Sequence, residues 1–386
     1  MRWVPRQELQ RRIEAAVREY PVTLLLGARQ CGKTSLARRV AAGRKGAFFD
    51  LEDPETALRA EVARAVLSDI RGLVVIDEIQ RQPELLPLLR VLADRRPLPA
   101  RFLILGSASP AIVKGASESL AGRVAYVDMG GFSLEEAGAA NWKRLWTRGG
   151  FPPAYLAGSH EKSHTWRLNF IQSFLERDIA QLGIRVPAPA LRRFWTMLAH
   201  YHGQSWNAAE LARAMNVKED TARHYLDILS GALMVRQLQP WFENTGKRLV
   251  KAPRTYFRDT GLLHSLLGLS TTDQVLAHPR LGFSWEGFAL EQVLRAAQAE
   301  RDAYFYRTHA GTELDLLIMR GGRRYGFEFK FEDAPKPTRS MHNAFADLGL
   351  EHLWVVFSGE RSMALADRIS TLPLANVGEA VRGMTR

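Results

Sequence analysis

The stretch Gly27-Ala28-Arg29-Gln30-Cys31-Gly32-Lys33-Thr34 decides the fold of the first part of this chain. It follows an apolar run at residues 22–26, which predicts a buried strand, and it precedes residues 35–40, which predict a helix. The pattern G-x-x-x-x-G-K-[ST] between a strand and a helix is typical of a phosphate-binding loop. The alternative is a glycine turn with a chance lysine, and a second motif downstream favours the phosphate-binding loop.

The residue types in this loop suit a nucleotide triphosphate. Glycines let backbone N–H groups close around phosphate oxygens, and the start of the following helix adds positive partial charge. We expect Lys33 to reach the β- and γ-phosphates and the Thr34 hydroxyl to bind Mg²⁺. ATP and Mg²⁺ are therefore the predicted cofactors. The predicted nucleotide-binding residues are Gly27, Ala28, Arg29, Gln30, Cys31, Gly32, Lys33, Thr34 and Ser35.

Two adjacent carboxylates end the apolar run at residues 73–76. Asp77 is predicted to hold Mg²⁺ through water, and Glu78 to polarise the attacking water. Such a pair is often only a strand end that meets solvent, but its position downstream of the phosphate loop predicts ATP hydrolysis. Ser107 ends a third apolar run, where related ATPases place a sensor of the γ-phosphate.

Composition narrows the class of protein. At 386 residues the chain can hold two or three cores, and 46% hydrophobic with 24% charged residues is ordinary for a globular protein. The apolar runs are strand-sized, no secretion signal is expected at the N-terminus, and Cys31 is the single cysteine, so we expect no membrane span and a cytoplasmic location. The net charge of +12 favours a polyanionic partner.

Hydrophobic periodicity predicts an α/β fold. Residues 7–19 are predicted to form an amphipathic helix with Leu9, Ile13 and Val17 on one face. Short strands at 22–26, 47–51, 73–77, 102–106 and 124–128 alternate with helices, which predicts a mainly parallel sheet with the nucleotide at the carboxyl ends of its strands. Residues 135–200 are predicted to be mostly helical.

Residues 206–236 have the spacing of a helix-turn-helix. A short helix at 208–215, a turn at 216–217 and a helix at 218–229 are followed by two predicted strands, which together describe a winged helix. Many winged helices are spacers or protein-binding surfaces, but the basic charge favours DNA. The predicted DNA contacts are Arg223, His224, Lys247, Arg248, Lys251 and Arg254.

The last hundred residues carry a set of ionisable groups in a suggestive order. Glu286 lies in a predicted helix, Asp315 in a strand, and Glu328 and Lys330 on one face of the next strand. The PD-(D/E)xK nucleases arrange a metal site in this way, with Asp315 and Glu328 as Mg²⁺ ligands, Lys330 orienting water and Glu286 assisting. The alternative is an amphipathic hairpin with a charged solvent face.

Taken together, the chain resembles a prokaryotic family of AAA-type ATPases that join a P-loop domain to a winged helix and a restriction-endonuclease-like tail. The resemblance rests on residues 27–34, 74–78, 106–107, 120–123, 149–152, 175–179 and the Asp315, Glu328 and Lys330 set. It implies four segments: an AAA-type P-loop ATPase core over 1–135, a helical lid and connector over 136–200, a winged helix over 201–275, and a small mixed α/β nuclease-like domain over 276–386. It also implies that Arg123 is an arginine finger, and hence a homo-oligomer such as a hexamer. An ordinary exposed arginine is the alternative for Arg123, and Arg148 and Arg177 are candidates for a second sensor arginine.

Three functions follow from these patterns. The first is an oligomeric ATP-hydrolysing motor or remodeller that binds duplex or branched DNA. The second is an ATP-gated, metal-dependent nuclease, and the third is a regulatory switch ATPase with a protein partner. The phosphate loop together with Glu78 indicates an enzyme, and the net charge favours DNA over a protein partner.

Overall fold

The computed structural model describes residues 3–55, 58, 60–108, 110–242, 249–300 and 302–384. The chain forms two compact units that are discontinuous along the sequence. The first comprises residues 1–131, 177–185 and 231–233, and the second comprises residues 132–176, 186–230 and 234–386. The four predicted segments are not separate units here, and their boundaries stay a prediction.

The first unit is built on a parallel sheet, as the alternation of strands and helices predicts. Its five strands lie in the order β2-β3-β4-β1-β5, and every pairing is parallel. The strands are β1 (Val22–Gly27), β2 (Gly46–Asp50), β3 (Gly72–Asp77), β4 (Ala100–Ser107) and β5 (Val124–Met129). Because parallel strands share one direction, Gly27, Asp77 and Ser107 all end at the same edge of the sheet.

Helices cover this sheet and complete a core of aliphatic side chains. Leu24, Val74 and Ile104 are fully buried in that core. The helices are α1 (Gln7–Glu19), α2 (Lys33–Ala41), α3 (Ala60–Asp69), α4 (Leu85–Ala93) and α5 (Pro110–Ser119), with a 3₁₀ turn at Ile79–Arg81. The predicted helix at 7–19 is confirmed as α1, and it buries Leu9, Ile13 and Val17 as its four-residue spacing predicts.

Helices dominate the middle of the chain, as expected for residues 135–200. They are α6 (Leu134–Ala137), α7 (Trp142–Arg148), α8 (Pro152–Tyr155), α9 (His160–Ser173), α10 (Ile179–Gln181) and α11 (Ala188–Ala199). A π-helical turn at Phe174–Asp178 joins α9 to α10, and a 3₁₀ turn spans Ala139–Asn141. α10 belongs to the first unit and the other helices of this group to the second.

The short helix pair lies where its sequence pattern predicts. α12 (Ala208–Met215) and α13 (Glu219–Gly231) flank a turn in which Asn216 adopts a left-handed conformation. The Asn207 side chain accepts a hydrogen bond from the Glu210 N–H and so caps α12. Ala212 of α12 and Leu229 of α13 are both buried.

A nine-stranded sheet forms the centre of the second unit. Its order is β13-β14-β12-β11-β10-β9-β7-β8-β6. The strands are β6 (Gln204–Ser205), β7 (Val235–Pro240), β8 (Arg254–Phe257), β9 (Ala303–Arg307), β10 (Glu313–Arg320), β11 (Arg323–Lys330), β12 (His352–Phe357), β13 (Ala364–Ala366) and β14 (Ile369–Pro373). The sheet is larger than the small mixed sheet predicted for the tail, because the end of β7 pairs with β9 at Gln239 and Pro240.

The remaining helices pack on this sheet or on other helices of the same unit. They are α14 (Thr260–Leu266), α15 (Thr272–Leu276), α16 (Leu281–Ala297), α17 (Arg339–Leu348) and α18 (Val377–Gly383), with a 3₁₀ turn at Leu374–Asn376. α16 is buried along most of its length, which holds its polar residues among apolar neighbours. Within the described part of the chain, no helix has the length and apolar character needed to cross a bilayer.

Candidate active site

The loop between β1 and α2 has the close packing that its glycines predict. A Cβ atom on Gly27 would lie 2.4 Å from the Met129 carbonyl oxygen, so a side chain at position 27 would push β5 away from β1. Gly32 has a φ of 100° and Gln30 a φ of 61°, and these left-handed residues turn the loop back on itself. The loop therefore forms a tight bend at the carboxyl edge of the sheet.

Lys33 lies under this bend and holds it together. Its side chain is buried, and Nζ donates hydrogen bonds to the carbonyl oxygens of Gly27 and Ala28, each at 3.1 Å. Of the other predicted nucleotide-binding residues, Cys31 is buried, whereas Gln30 and Ser35 are exposed.

Sequence patterns did not indicate that Arg6 supports the loop from behind. Its buried guanidinium donates to the carbonyl oxygens of Cys31, Gly130 and Gly131 at 3.3, 3.1 and 2.9 Å. The loop after β5 and the phosphate loop are thus held by one side chain. An arginine close to the N-terminus of the chain carries no sequence signal of this role, because its partners are backbone atoms.

The first two motifs lie side by side. The Thr34 hydroxyl lies 2.6 Å from Asp77 Oδ2, and Asp77 is buried at the end of β3. A hydroxyl and a carboxylate placed side by side are the protein oxygens that a nucleotide-bound Mg²⁺ uses, with the phosphates and water supplying its other ligands. The residues present therefore fit Mg²⁺ together with ATP. Burial raises the pKa of Asp77, against the opposing effects of the Thr34 hydrogen bond and of Lys33.

Glu78 is held in a defined position beside Asp77. Its backbone is left-handed, with φ 58°, and its carboxylate accepts a hydrogen bond from the Gln80 side-chain amide. The other end of that amide, Oε1, accepts the Ser107 backbone N–H at 3.1 Å. Gln80 therefore bridges the predicted water-activating residue and the predicted sensor residue. Burial raises the pKa of the Glu78 carboxyl, and Lys33 opposes the shift.

Arg29 connects the phosphate loop to residues 177–185 of the same unit. Its guanidinium contacts Asp178 at 2.7 Å, Gln181 at 2.5 Å and Glu52 at 2.9 Å. Arg81 shares the Glu52 carboxylate at 3.0 Å. Arg177, one candidate for a second sensor, is largely exposed next to Asp178, at 3.5 Å.

The other predicted arginines of the ATPase lie elsewhere. Arg123 precedes β5 at the edge of the sheet opposite the phosphate loop, and its guanidinium pairs with both carboxylate oxygens of Asp94 at 2.5 and 2.9 Å. It lies away from the phosphate loop of its own chain. Arg148 is buried in the second unit, where it donates to the Ala157 carbonyl oxygen at 2.6 Å.

The predicted DNA contacts divide into three groups. Arg223, His224 and Lys251 are exposed. Lys247 and Arg248 lie outside the described residues. Arg254 is a correction, because its side chain is buried and pairs with carboxylates, so it is not a surface group available to phosphate.

The four ionisable residues of the tail come from the expected elements: Glu286 from α16, Asp315 from β10, and Glu328 and Lys330 from β11. Asp315 and Glu328 are buried, the Glu286 side chain is 13% exposed, and Lys330 Nζ lies 3.3 Å from Glu328 Oε2. Burial and the neighbouring Asp315 raise the pKa values of Glu286 and Glu328 to about 8.

The predicted Mg²⁺ site in the tail is a correction. Among the described residues, no group of three or more histidine, cysteine, aspartate or glutamate side chains is placed to hold a metal ion. The reason is Arg254 on β8, whose guanidinium lies between Asp315 and Glu286. Its Nη1 lies 3.2 Å from Asp315 and 3.6 Å from Glu286. The residues present therefore do not fit the ion that a PD-(D/E)xK nuclease uses.

Comparisons with known proteins agree with the geometry of the first unit. A family described as "AAA domain" matches residues 19–138, and two families described as domains of unknown function, DUF8612 and DUF4143, match residues 139–273 and 281–377. The chain is 50% identical over 370 residues to "Uncharacterized protein Rv2008c" of Mycobacterium tuberculosis and to "Uncharacterized protein Mb2031c" of Mycobacterium bovis. Each alignment covers 96% of this chain and 84% of the relative. The chain belongs to the family of these two proteins.

A solved structure shows the same fold over much of the chain. The Walker-type ATPase PABY2304 of Pyrococcus abyssi superposes with a TM-score of 0.50 at 17% identity, over 69% of this chain and 96% of that one. With the matched AAA domain and the phosphate loop, this fold makes the first unit a P-loop ATPase of the AAA type.

Proposed function

We propose that this ATPase hydrolyses ATP with Mg²⁺ and couples hydrolysis to binding of DNA by its second unit. The observation that carries the first part is the 2.6 Å contact between Thr34 and Asp77, with Glu78 held beside them by Gln80. A glutamate used only to satisfy a strand end would need no such support. The arrangement fixes a carboxylate at the edge of the sheet where the phosphate loop lies.

Each protein group has a task in the reaction. Lys33 gives up its two carbonyl partners and donates to the β- and γ-phosphates of ATP. Glu78 orients a water molecule in line with the γ-phosphorus and accepts its proton. Mg²⁺, when bound, neutralises charge on the phosphate oxygens. Gln80 is hydrogen-bonded both to the Glu78 carboxylate and to the Ser107 backbone N–H. A movement of Ser107 in response to the γ-phosphate would therefore move Glu78, which links recognition of the γ-phosphate to activation of water.

The proposal that DNA is the partner rests on charge and on α12 and α13. The chain carries +12, and Arg223, His224 and Lys251 are exposed in the second unit. The chain order is β6, α12, α13, β7 and β8, and β8 lies between β7 and β6 in the sheet, which supports a winged helix. We also assign the β10–β11 hairpin, α16 and β12 to a nuclease-like fold without the cleavage reaction.

A protein partner is the second candidate, and α13 supplies the observation that favours it. The helix exposes Glu219, Asp220 and Asp227 among its basic residues, and Arg223 lies 3.6 Å from Glu219. Acidic groups on a recognition helix repel phosphate and suit a protein surface. A regulatory switch would use the same ATP site with slow turnover.

Assembly of several copies is proposed from the position of Arg123. The register of β5 on β1 sets Arg123 beside the start of β1, and the phosphate loop begins at its end. At about 3.3 Å per residue the two ends are roughly 16 Å apart. This distance separates Arg123 from the phosphate loop of its own chain, and we propose that Arg123 serves the γ-phosphate of a neighbouring copy instead. Size-exclusion chromatography with light scattering, with and without ATP, tests whether such an assembly forms.

The deciding experiment measures ATP hydrolysis by the full chain alone and with single-stranded, duplex and four-way-junction DNA. Glu78→Gln is the inactive control. We expect a basal rate with wild-type protein and stimulation by duplex or junction DNA that weakens as salt rises. A basal rate that no DNA changes would leave the ATPase in place, reject the DNA partner and support the protein partner.

A further inference from the structure

One cluster of buried charges in the second unit is not used by the proposed ATPase. Asp315 and Glu328 lie in the interior on β10 and β11, Glu286 on α16 is largely buried beside them, and Glu313 lies at the edge of the same group. Buried carboxylates need a cation or hydrogen-bond donors, because an isolated buried charge is strongly unfavourable. The identity of that cation decides what this site can do.

Arg254 provides the cation. Its side chain is only 4% exposed, and its guanidinium contacts three carboxylates: Asp315 at 3.2 Å, Glu286 at 3.6 Å and Glu313 in a direct hydrogen bond. The guanidinium also lies over the ring of Phe305, 5.0 Å from its centre. Packing and ion pairing together therefore hold it in one place.

The carboxylate oxygens that face Arg254 are already engaged. Asp315 uses Oδ1 for Arg254 and Oδ2 for the Phe329 backbone N–H, at 3.2 Å. Glu286 Oε1 accepts the Tyr256 hydroxyl at 2.5 Å. A divalent metal ion binds such oxygens at about 2.0–2.6 Å, which requires the space and the lone pairs that the guanidinium and these donors occupy.

Lys330 completes the arrangement. Its Nζ pairs with Glu328, so the carboxylate that would be the second metal ligand already has a cation of its own. Two protein cations thus serve the group, and both lie on the sheet that carries Asp315 and Glu328.

We propose that the guanidinium of Arg254 is the resident cation of this carboxylate site. The native protein therefore binds no divalent metal ion there, and removal of the guanidinium turns the site into one that binds Mg²⁺ or Mn²⁺. The inference concerns this chain alone and does not depend on whether DNA or protein is the partner of the ATPase.

The test measures Mn²⁺ binding to the nucleotide-free full chain, and the electron paramagnetic resonance signal of the free ion reports how much Mn²⁺ stays unbound. Wild type is compared with Asp315→Asn, Arg254→Met and the double variant. We expect identical Mn²⁺ binding by wild type and Asp315→Asn, one additional bound ion in Arg254→Met, and loss of that ion in the double variant. Arg258→Met is the matched control, because Arg258 is another largely buried arginine, directly after β8, but pairs with Glu300 at 2.6 Å and not with Asp315. It should gain no site.

Two results would overturn the proposal. One is Mn²⁺ binding by wild type that Asp315→Asn removes, and the other is a folded Arg254→Met protein that gains no ion. If Arg254→Met does not fold, the comparison of wild type with Asp315→Asn still decides the first point. Melting temperatures test the second point independently. Mn²⁺ should raise the melting temperature of Arg254→Met by several degrees and leave that of wild type unchanged, and a folded Arg254→Met protein with no such rise would overturn the proposal.

Discussion

Glu78 is the residue whose loss should separate ATP binding from hydrolysis. In Glu78→Gln the amide keeps the size of the side chain but cannot accept a proton from water, so kcat should fall by about 10²- to 10⁴-fold. ATP affinity should stay close to wild type, since Lys33 and Thr34 are unchanged. Steady-state kinetics and a nucleotide-binding titration check this, and a kcat within a few-fold of wild type would exclude Glu78 as the base.

The ionisation of Glu78 also sets an acid limit on activity. The carboxylate form is the active form, and burial raises the pKa of Glu78 above 4.5. As the pH falls, kcat/KM should therefore begin to decline while the pH is still above 4.5. A profile of kcat/KM against pH measures the midpoint in the free enzyme. A decline at or below 4.5 would show that burial does not govern this group.

Gln80 is the positioning residue that sequence reasoning did not select. In Gln80→Ala the Glu78 carboxylate loses its amide donor and the Ser107 N–H loses its acceptor. One hydrogen bond to a charged group contributes about 1.5–3 kcal/mol, and we expect kcat to fall roughly tenfold or more at unchanged KM. Gln82→Ala is the control, since Gln82 Oε1 has no hydrogen-bond partner among the described residues. Equal kcat values for the two variants would contradict the role.

At the scale of elements, the segment 177–185 should be energetically coupled to the phosphate loop. Arg29 and Asp178 are both largely buried and 2.7 Å apart, and breaking such a pair from one side costs on the order of 3 kcal/mol. A double-mutant cycle with Arg29→Ala and Asp178→Ala measures the coupling by denaturant unfolding and by ATP affinity. We expect a non-additive double variant, whereas additive effects would mean that the contact carries no energy.

Regular elements could be predicted from the sequence because their signals are local. The four-residue spacing of Leu9, Ile13 and Val17 gives the bounds of α1, and the apolar runs give the five parallel strands of the first unit. The pairing of β7 with β9 has no such signal, because register between distant strands depends on tertiary packing. The prediction of Arg254 as a DNA contact is wrong for the same reason. A basic side chain favours a phosphate partner, and only the fold shows the carboxylates around it.

The site follows the same division. The positions of Lys33, Thr34, Asp77 and Glu78 follow from two motifs, and the structure places Thr34 beside Asp77. The structural roles of Arg6 and Arg29 could not be predicted from the sequence. Arg6 binds backbone carbonyl oxygens, and Arg29 binds a segment about 150 positions later in the chain. Charge type can be read from a sequence, but the partner of a charge is decided by the assembled fold.

At the scale of the whole molecule, two effects of pH on stability oppose each other. The chain carries +12 and has an isoelectric point near 10.0, so raising the pH lowers its net charge and its self-repulsion. Glu286 and Glu328 act in the other direction, because their pKa values are raised to about 8 in the folded protein. The folded state holds these protons more tightly than the unfolded state, so their contribution to stability is fully present below 4.5 and is lost as the pH rises through about 8.

A variant without these two ionisable groups should therefore lose less stability than wild type as the pH rises. In the Glu286→Gln, Glu328→Gln double variant, each amide oxygen can still accept the bonds from Tyr256 and Lys330, but neither group can ionise. Melting temperatures measured from pH 4.5 to about 9 should converge at the acid end, and at the alkaline end the double variant should melt several degrees above wild type. Glu332→Gln, at an exposed position of the same unit, is the control and should follow wild type throughout. If the double variant instead lost stability as steeply as wild type, ionisation of these two carboxyl groups would not be the cause of the loss at alkaline pH.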